Sequence, residues 1–583
     1  MLNHDPLQRV LYIDLTRRSF RIEHRPDLFE RYLGGAGVAS ALLLEECPEG
    51  ADPLEPENPI IFAVGPLVGL FPMASKTVAM FKSPHTGNLG ESHAGGRSAV
   101  SIRMAGYGAI VIKGASDIPV YLTIFNDKVQ FHDGRALWGM RSDFAARATR
   151  EKESGSGMRT IMRIGLAGER LVSYACVITE TYRHFGRLGL GAVFGSKKLK
   201  AIVISGKSSL PVVDRKTYKK AYNDIFQQLL TKPSLKKYHD LGTSLNILPL
   251  NKICALPTRN LQKACFEQAE EISGEHLAEN YLGRRIACTH CPIACIHLAA
   301  LREPYKDEPY FYKTTFISYD YELIYALGTM LGIGNSRGLM YLLNEVEILG
   351  LDAISTGVVL AWVTEAFQKG LITEKETMGL KPAWGDYETY VEIMKKIVLQ
   401  PNEFYQAVAK GAEYASELYG GKEFALAFGK NEMPGYHTGY GGHLTFLTGA
   451  RHSHLDSAGY SFDQKFLGKE VPPPEDYANH LFAEESYRQI ISSLVICFFA
   501  RGVYNYPTIE RLLKIAGFDF SEESLKGLGE EILKQKYRFK FREGFSLDQL
   551  RIPKRILETI SPHGRLQEEF IRKAIAAYKR LLS

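Results

Sequence analysis

Two patterns of hydrophobic residues divide the chain. In the first third, residues 11–15 alternate apolar and polar side chains, and residues 59–66 form an apolar run that ends at Gly and Pro. Both patterns are typical of β-strands, and Gly-rich turns separate such runs throughout this region. Beyond Pro211, apolar residues recur at i, i+3 and i+4 over Arg215–Thr231 and over residues 328–369, which predicts helices. The sequence therefore predicts an α+β fold.

The change of pattern also predicts domain boundaries. We expect a β-rich N-terminal domain over residues 1–208, followed by two mainly α-helical domains over residues 209–420 and 421–583. The last boundary rests on Gly420 and Gly421. The sequence shows no internal repeat and no low-complexity segment.

Composition and charge restrict the class of protein. The chain has 583 residues, of which 45% are hydrophobic and 23% charged, so it can bury a large core. A net charge of +6 is too small and dispersed to indicate nucleic-acid binding, although it suits a small acidic partner. The first residues lack the pattern of an export signal, and no apolar run is long enough to span a membrane. We expect a cytoplasmic protein.

The most specific motif is a group of three cysteines. Cys288, Cys291 and Cys295 have C-x2-C-x3-C spacing, which lets one turn direct three thiolates to a single point. Such a set suits an iron–sulfur cluster, which needs a fourth ligand, or zinc in a non-enzymatic scaffold with His290 or His297 as the remaining ligand. The other cysteines, Cys47, Cys176, Cys254 and Cys265 among them, are expected to be buried or free thiols in a reducing compartment.

Glycine-rich blocks with interleaved basic residues lie at residues 164–170 and 183–200. Glycine permits close approach of the backbone to a phosphate, and Arg or Lys balances the phosphate charge. Tight turns in a β-domain are the alternative explanation, and for any single block they are the more probable one.

Together these motifs resemble the tungsten-dependent aldehyde:ferredoxin oxidoreductase family. The resemblance rests on the block at 164–170, the run R-x-x-G-R-x-G-x-G-A-V-x-G-S-K at 183–197, the cysteine trio in mid-chain, and Gly-Leu-Asp at 350–352. In that family a β-rich first domain holds two pyranopterins whose dithiolenes bind tungsten, or molybdenum in some relatives, and whose phosphates are linked through Mg²⁺. The resemblance implies this cofactor here, together with a [4Fe–4S] cluster.

The resemblance also implies the site residues. Cys497 corresponds to the family's distant fourth cluster ligand, after Cys288, Cys291 and Cys295. Cofactor-binding positions would be Lys76, Gly95, Gly96, Arg183, Gly189, Gly191, Glu347, Gly350, Leu351, Asp352, Ser492 and Ile496. The motif before Cys497 departs from the family pattern D-x-x-G-L-C, because Ser492 and Val495 replace its Asp and Gly.

Two residues match catalytic positions of the family. Glu322 would transfer a proton, and His454 would stabilise negative charge on the substrate oxygen. His452, two residues away, is a competing candidate. The family's Y-D-P-R run is replaced by Tyr436-His437-Thr438-Gly439, which leaves substrate choice open.

The implied activity is oxidation of an aldehyde to a carboxylic acid. Electrons would leave through the cluster to ferredoxin or to an iron–sulfur subunit, and a homodimer is compatible with the resemblance. Two alternatives remain at this point: an aryl-CoA reductase of the benzoyl-CoA type within the same family, and the zinc-stabilised scaffold.

Overall fold

The computed structural model describes residues 6–153, 157–180, 182–210, 212 and 214–583. These residues form two compact units, each built from separate stretches of the chain. The first unit comprises Met1–Leu235, Ala287–Ile293 and Ala483–Phe545, and the second comprises Lys236–Ile286, Ala294–Phe482 and Ser546–Ser583. The finer division into three domains stays a prediction.

The first unit contains two six-stranded mixed sheets. The strands of the first sheet are β1 Arg9–Asp14, β2 Ser19–His24, β3 Ile60–Ala63, β4 Thr77–Lys82, β5 Leu89–Ala94 and β6 Ala109–Lys113. Those of the second are β7 Val120–Phe125, β8 Lys128–Asp133, β9 Met158–Ile164, β10 Val177–Ile178, β11 His184–Phe185 and β12 Leu199–Gly206. The predicted strands at residues 11–15 and 59–66 correspond to β1 and β3.

The two sheets share one topology. Their strand orders are β2-β1-β6-β3-β4-β5 and β8-β7-β12-β9-β10-β11, so β7 to β12 take the places of β1 to β6 in turn. In each sheet the first and last strands in sequence, β1 with β6 and β7 with β12, pair in parallel, and every other pairing is antiparallel. This repeat is one of topology, formed by backbone hydrogen bonds, and the absence of a repeat in the sequence is a separate observation that it does not contradict.

Helices make up most of the rest of the chain. They are α1 Pro26–Tyr32, α2 Gly35–Glu46, α3 Ser98–Ala105, α4 Ser142–Lys152, α5 Leu166–Glu169, α6 Leu190–Ser196, α7 Arg215–Thr231, α8 Pro233–Leu241, α9 Ile247–Lys252, α10 Gly274–Asn280, α11 Tyr321–Leu327, α12 Ser336–Leu349, α13 Ala353–Gln368, α14 Tyr387–Leu399, α15 Glu403–Val408, α16 Ala412–Tyr419, α17 Tyr440–Thr448, α18 Gly459–Gln464, α19 Pro474–Ser493, α20 Tyr506–Ala516, α21 Glu522–Arg542, α22 Arg555–Glu558 and α23 Glu568–Leu582. The predicted α+β fold, β-rich first and helical later, is confirmed.

The second unit is mainly helical around the buried helix α13. Trp362 and most other side chains of α13 are inaccessible to solvent, so this helix is buried on all sides. Gly357 allows α11 to pack closely, because a Cβ at this position would lie 2.1 Å from the carbonyl oxygen of Ala326. The unit also has the sheet β13 Leu282–Ile286, β14 Ile296–Pro304 and β15 Tyr312–Tyr319, and the short pair β16 Ala427–Phe428 and β17 Asn431–Glu432.

One prediction about cysteine was wrong. Cys254 and Cys265 form a disulfide, although both were expected to be free thiols. Cys47 and Cys176 are buried, as expected. None of the helices in the described residues has the length and hydropathy needed to cross a bilayer.

Candidate functional site

Two parts of the cysteine motif meet within the first unit. The backbone N–H of Met73 donates to the carbonyl of His290 (3.0 Å), and the N–H of Cys497 donates to the carbonyl of Met73 (2.9 Å). One residue thus links the segment of Cys288 and Cys291 to that of Cys497. All three are partly exposed cysteines outside the disulfide. Among the described residues, no three His, Cys, Asp or Glu side chains form a preformed site for a single metal ion.

Gly95 opens the space beside this motif. A Cβ at Gly95 would lie 2.7 Å from Sγ of Cys288 and 3.2 Å from Nζ of Lys76. The N–H of Thr289 donates to the carbonyl of Gly96 (2.9 Å), which holds the cysteine turn against the end of β5. Lys76, Gly95 and Cys288 therefore lie close together, and any residue larger than glycine at position 95 would displace the Cys288 side chain. Their roles at a cluster and a cofactor stay predictions. Cys295 lies in the second unit, directly before β14.

Two of the predicted cofactor-binding glycines, Gly96 and Gly189, occupy equivalent places in the two sheets. Gly96 follows β5 and Gly189 follows β11, and both have left-handed φ angles, 93° and 86°, just before the helix that leads to the last strand. The missing Cβ of Gly191 would lie 2.5 Å from the carbonyl oxygen of Cys176. That glycine therefore serves close packing of the chain on itself, and a phosphate contact there stays a prediction. Arg183, a partly buried residue, precedes β11.

The Gly-Leu-Asp motif at 350–352 and the altered motif before Cys497 each follow the end of a helix. Both helix ends have the same backbone conformation. After α12, Gly350 has φ 80° and the N–H of Leu351 donates to the carbonyl of Val346. After α19, Val495 has φ 52° and the N–H of Ile496 donates to the carbonyl of Ile491. Both are Schellman-type ends, which favour glycine at the left-handed position. Val495 keeps this backbone conformation despite the strain that a β-branched residue brings.

The polar members of these motifs have local roles as well. Asp352 is the N-cap of α13, where its carboxylate accepts from the N–H groups of Ile354 (3.1 Å) and Ser355 (3.2 Å). Glu347 is partly exposed in the last turn of α12, and Ser492 is buried near the end of α19. A cofactor role for these three residues stays a prediction.

Within the second unit, the structure brings together the two predicted catalytic residues. Nδ1 of His454 lies 3.4 Å from Oε1 of Glu322, and both side chains are largely buried. Oε2 of Glu322 accepts from the N–H of Gly435 (3.1 Å). Asp320 caps α11 and fixes the turn that carries Glu322. The competing candidate His452 instead bonds the carbonyl of Phe446 (2.9 Å) and is 2% exposed, so it is a satisfied core histidine.

Aromatic side chains surround this pair, and sequence reasoning did not include them as site residues. Tyr436 stacks on Tyr460 with ring centroids 4.0 Å apart, and its ring lies 5.4 Å from that of His454 and 5.0 Å from that of Tyr321. Burial raises the pKa of Tyr321 and Tyr436 well above the usual range, and the negative charge of Glu322 raises both further. Both phenols are therefore neutral near pH 7. The only sequence signal was the altered run that begins at Tyr436.

Comparison with known proteins identifies the family. The model of the family "aldehyde ferredoxin oxidoreductase, N-terminal domain" matches residues 10–206, and that of its domains 2 and 3 matches residues 220–582. The chain belongs to the aldehyde ferredoxin oxidoreductase family. The family predicted from the motifs is confirmed.

Several relatives show how far the similarity extends. The tungsten-containing aldehyde ferredoxin oxidoreductase of Thermococcus kodakarensis is 33% identical, over 97% of this chain and 93% of the relative. The WOR-like subunit of an aliphatic sulfonate oxidoreductase from Pyrococcus furiosus is 32% identical, over 67% of this chain and 64% of the relative. Family membership makes the chain an oxidoreductase and implies a tungsten or molybdenum pterin cofactor.

A solved structure shows the same fold. It is the active-site complex BamBC of benzoyl coenzyme A reductase with 1,5-dienoyl-CoA, and one of its chains superposes with a TM-score of 0.83. The superposition covers 99% of this chain and 94% of the other at 21% sequence identity. At this identity the likeness concerns the fold alone.

Proposed function

We propose that this protein oxidises an aldehyde to a carboxylic acid at a tungsten or molybdenum bis-pyranopterin centre. The single observation that carries the proposal is the buried pair of Glu322 and His454, in which a carboxylate and an imidazole lie 3.4 Å apart. Family membership supports the cofactor, and the pair supplies the acid–base groups that aldehyde oxidation requires.

The two residues have different tasks in this proposal. Glu322 is held by the amide of Gly435 and accepts the proton that is released when the aldehyde is hydrated and oxidised. His454 donates a hydrogen bond to the oxygen on which negative charge develops. Tyr321, Tyr436 and Tyr460 exclude water from this space, which strengthens both interactions.

The residues of the chain suit the cofactors that the family implies. Three thiols and the glycine space at Gly95 fit a [4Fe–4S] cluster, for which Cys288, Cys291, Cys295 and Cys497 would be the ligands. The equivalent glycines Gly96 and Gly189 suit two similar pterins, one for each half of the repeat, with Mg²⁺ on their phosphates. When bound, the metal centre accepts two electrons from the substrate, and the cluster passes them on singly.

Electrons would leave to ferredoxin or to an iron–sulfur subunit. The mild positive charge of the chain suits an acidic carrier of this kind. A homodimer is compatible with the proposal and is not required by it.

The decisive variant is Glu322→Gln, which keeps the size of the side chain and removes the base. We expect kcat for aldehyde oxidation to fall by roughly 10²- to 10⁴-fold with metal and iron content unchanged, the usual contribution of general acid–base catalysis. Glu279→Gln, an exposed change in α10, is the matched control and should keep full activity. Full activity in Glu322→Gln would rule out this role.

The electron path needs a separate test. Cys497→Ser should alter or abolish the paramagnetic signal of the reduced cluster, whereas Cys47→Ser, at a buried free thiol, should leave it intact. Protein produced with both tungsten and molybdenum supplied should contain one of them. Zinc alone, with no visible absorption, would instead support the scaffold alternative.

A further inference from the structure

The Cys254–Cys265 disulfide lies at the surface of the second unit. The cysteines are 11 residues apart with Cα atoms 4.8 Å from each other, and Cys254 is exposed while Cys265 is partly buried. Exposed disulfides are the labile and regulatory ones, because a thiolate can reach a sulfur atom. The disulfide has no part in the proposed oxidation of aldehydes.

A cavity of about 620 Å³ opens onto both cysteines. Its wall carries three cations, Lys263, Arg555 and Arg565, against one anion, Glu558. Arg555 is neutralised by a bidentate pair with the buried Glu365. Lys263 and Arg565 are exposed, so the opening beside the disulfide carries positive charge that suits an anion.

The disulfide closes a segment with an unusual backbone. Cys254, Arg259, Asn260 and Leu261 all have left-handed φ angles, between 46° and 54° for the first three and 56° for Leu261. Four such residues within eight positions are costly, since the left-handed region is disfavoured for residues other than glycine. The closed loop is therefore a constraint that holds these conformations.

The same segment supports the neighbourhood of the candidate active site. The carbonyl of Ala255, next to Cys254, accepts from the N–H of His437 (3.0 Å), and Tyr436 precedes His437 in the chain. Tyr436 is the ring that contacts His454 and Tyr460. Opening the disulfide would thus loosen a support one residue away from the aromatic wall.

We propose that the Cys254–Cys265 disulfide is a thiol–disulfide exchange site for a low-molecular-weight thiol that carries a further negative charge. The thiolate attacks Sγ of the exposed Cys254, an S–S bond forms to it, and Cys265 leaves as a thiolate that takes up a proton. A second thiol attacks the sulfur of the mixed disulfide that belongs to the small molecule. This releases Cys254 as a thiol, and the two small molecules leave joined by a disulfide bond. Two electrons have then passed to the cysteines, and the small-molecule disulfide can reoxidise them by the reverse reaction.

The exchange itself is independent of the enzymatic reaction. Its effect on turnover, through Ala255, His437 and Tyr436, rests on the proposed function. Measurement of the cysteines rather than of activity therefore separates a failure of this proposal from a failure of the proposed function.

The test uses the intact holoprotein and two probe thiols of similar reactivity, 2-mercaptoethanesulfonate and neutral 2-mercaptoethanol. Differential alkylation followed by peptide mass spectrometry gives the rate at which Cys254 and Cys265 are reduced. Each rate is divided by the rate at which the same thiol reduces a small uncharged disulfide. This ratio removes the difference in intrinsic nucleophilicity between the two thiols. We expect the anionic thiol to be faster on the order of threefold to tenfold at low salt, as two exposed cations in the wall of the cavity beside the disulfide would produce.

The double variant Lys263→Gln and Arg565→Gln should abolish this preference and leave the rate with 2-mercaptoethanol unchanged. Lys375→Gln, on the exposed surface elsewhere in the unit, is the control and should preserve the preference. Equal normalised rates for the two thiols in the unaltered protein, a preference that persists in the double variant, or cysteines that neither thiol reduces would each overturn the proposal.

Discussion

The buried histidine pair beside the candidate active site should make the second unit sensitive to acid. Nε2 of His437 donates to the carbonyl of Thr559 (3.2 Å), so its Nδ1 must accept, and it does so from Nε2 of His443 at 2.9 Å. Protonation of His437 would add an N–H at Nδ1 that points at the N–H of His443 Nε2. Burial lowers the pKa of His437 to about 4 and that of His443 well below its ordinary value.

The sign and size of the effect follow from proton linkage. Because the folded pKa is depressed, the stabilisation is fully present above the unfolded pKa of about 6.5 and is lost as the pH falls towards 4. The pKa of His437 is about 2.5 units lower in the folded than in the unfolded protein. At about 1.4 kcal/mol per unit, this difference contributes roughly 3 kcal/mol to the free energy of unfolding. His443 contributes in the same direction.

The variant His443→Gln tests this reasoning. Its side-chain amide can still donate to His437 but does not titrate, so the dependence of unfolding free energy on pH should become shallower by up to about 1.4 kcal/mol per pH unit between pH 4.5 and 6. Urea unfolding followed by tryptophan fluorescence at a series of pH values gives this slope. His24→Gln, on an exposed strand, is the control and should match the unaltered protein. Identical slopes for His443→Gln and the unaltered protein would refute the argument.

Further predictions concern packing and charge. Gly95→Ala should lower the iron content of purified protein, because the new Cβ would lie 2.7 Å from Sγ of Cys288. Asp352→Ala should lower the free energy of unfolding by about 1–2 kcal/mol in urea titrations, since α13 loses its N-cap. Arg555→Met should cost roughly 2–3 kcal/mol in the same assay, because the buried carboxylate of Glu365 would lose its bidentate partner and keep only Asn260 (2.8 Å) and the more distant Lys369 (3.7 Å).

Matched variants serve as controls for these three predictions. Gly186→Ala should keep normal iron content, since its Cβ would meet nothing closer than 3.8 Å. Asp352→Asn should keep most of the stability, because asparagine is an equally good cap. Replacing Arg555 and Glu365 together by Met should recover most of the loss. A double variant as unstable as the single one would show that the loss does not come from the buried charge of Glu365.

Local patterns in the sequence were sufficient for much of the fold. Helix α7 has the predicted bounds, Arg215–Thr231. Its signals are local, because the apolar spacing and the N-cap Asp214 depend only on residues close together in the sequence. The family could be recognised for the same reason. The glycine blocks and the trio Cys288, Cys291 and Cys295 are short segments whose spacing carries their chemistry.

Only the tertiary structure decided which distant residues meet. Glu322 and His454 approach each other because α11 packs on α13 and the chain returns 132 positions later, which no local pattern reports. The shared topology of the two sheets could not be predicted from the sequence for a related reason. Strands pair through backbone hydrogen bonds, and many different side chains are compatible with the same pairing.

The disulfide shows the same limit. The sequence by itself determined the kind of protein through local spacing, yet nothing in it distinguishes Cys254 and Cys265 from free thiols. They pair because the left-handed residues between them fold the segment back on itself, which brings the Cα atoms within 4.8 Å. The partners of a side chain depend on the path of the whole chain, and that path is a property of the packed structure.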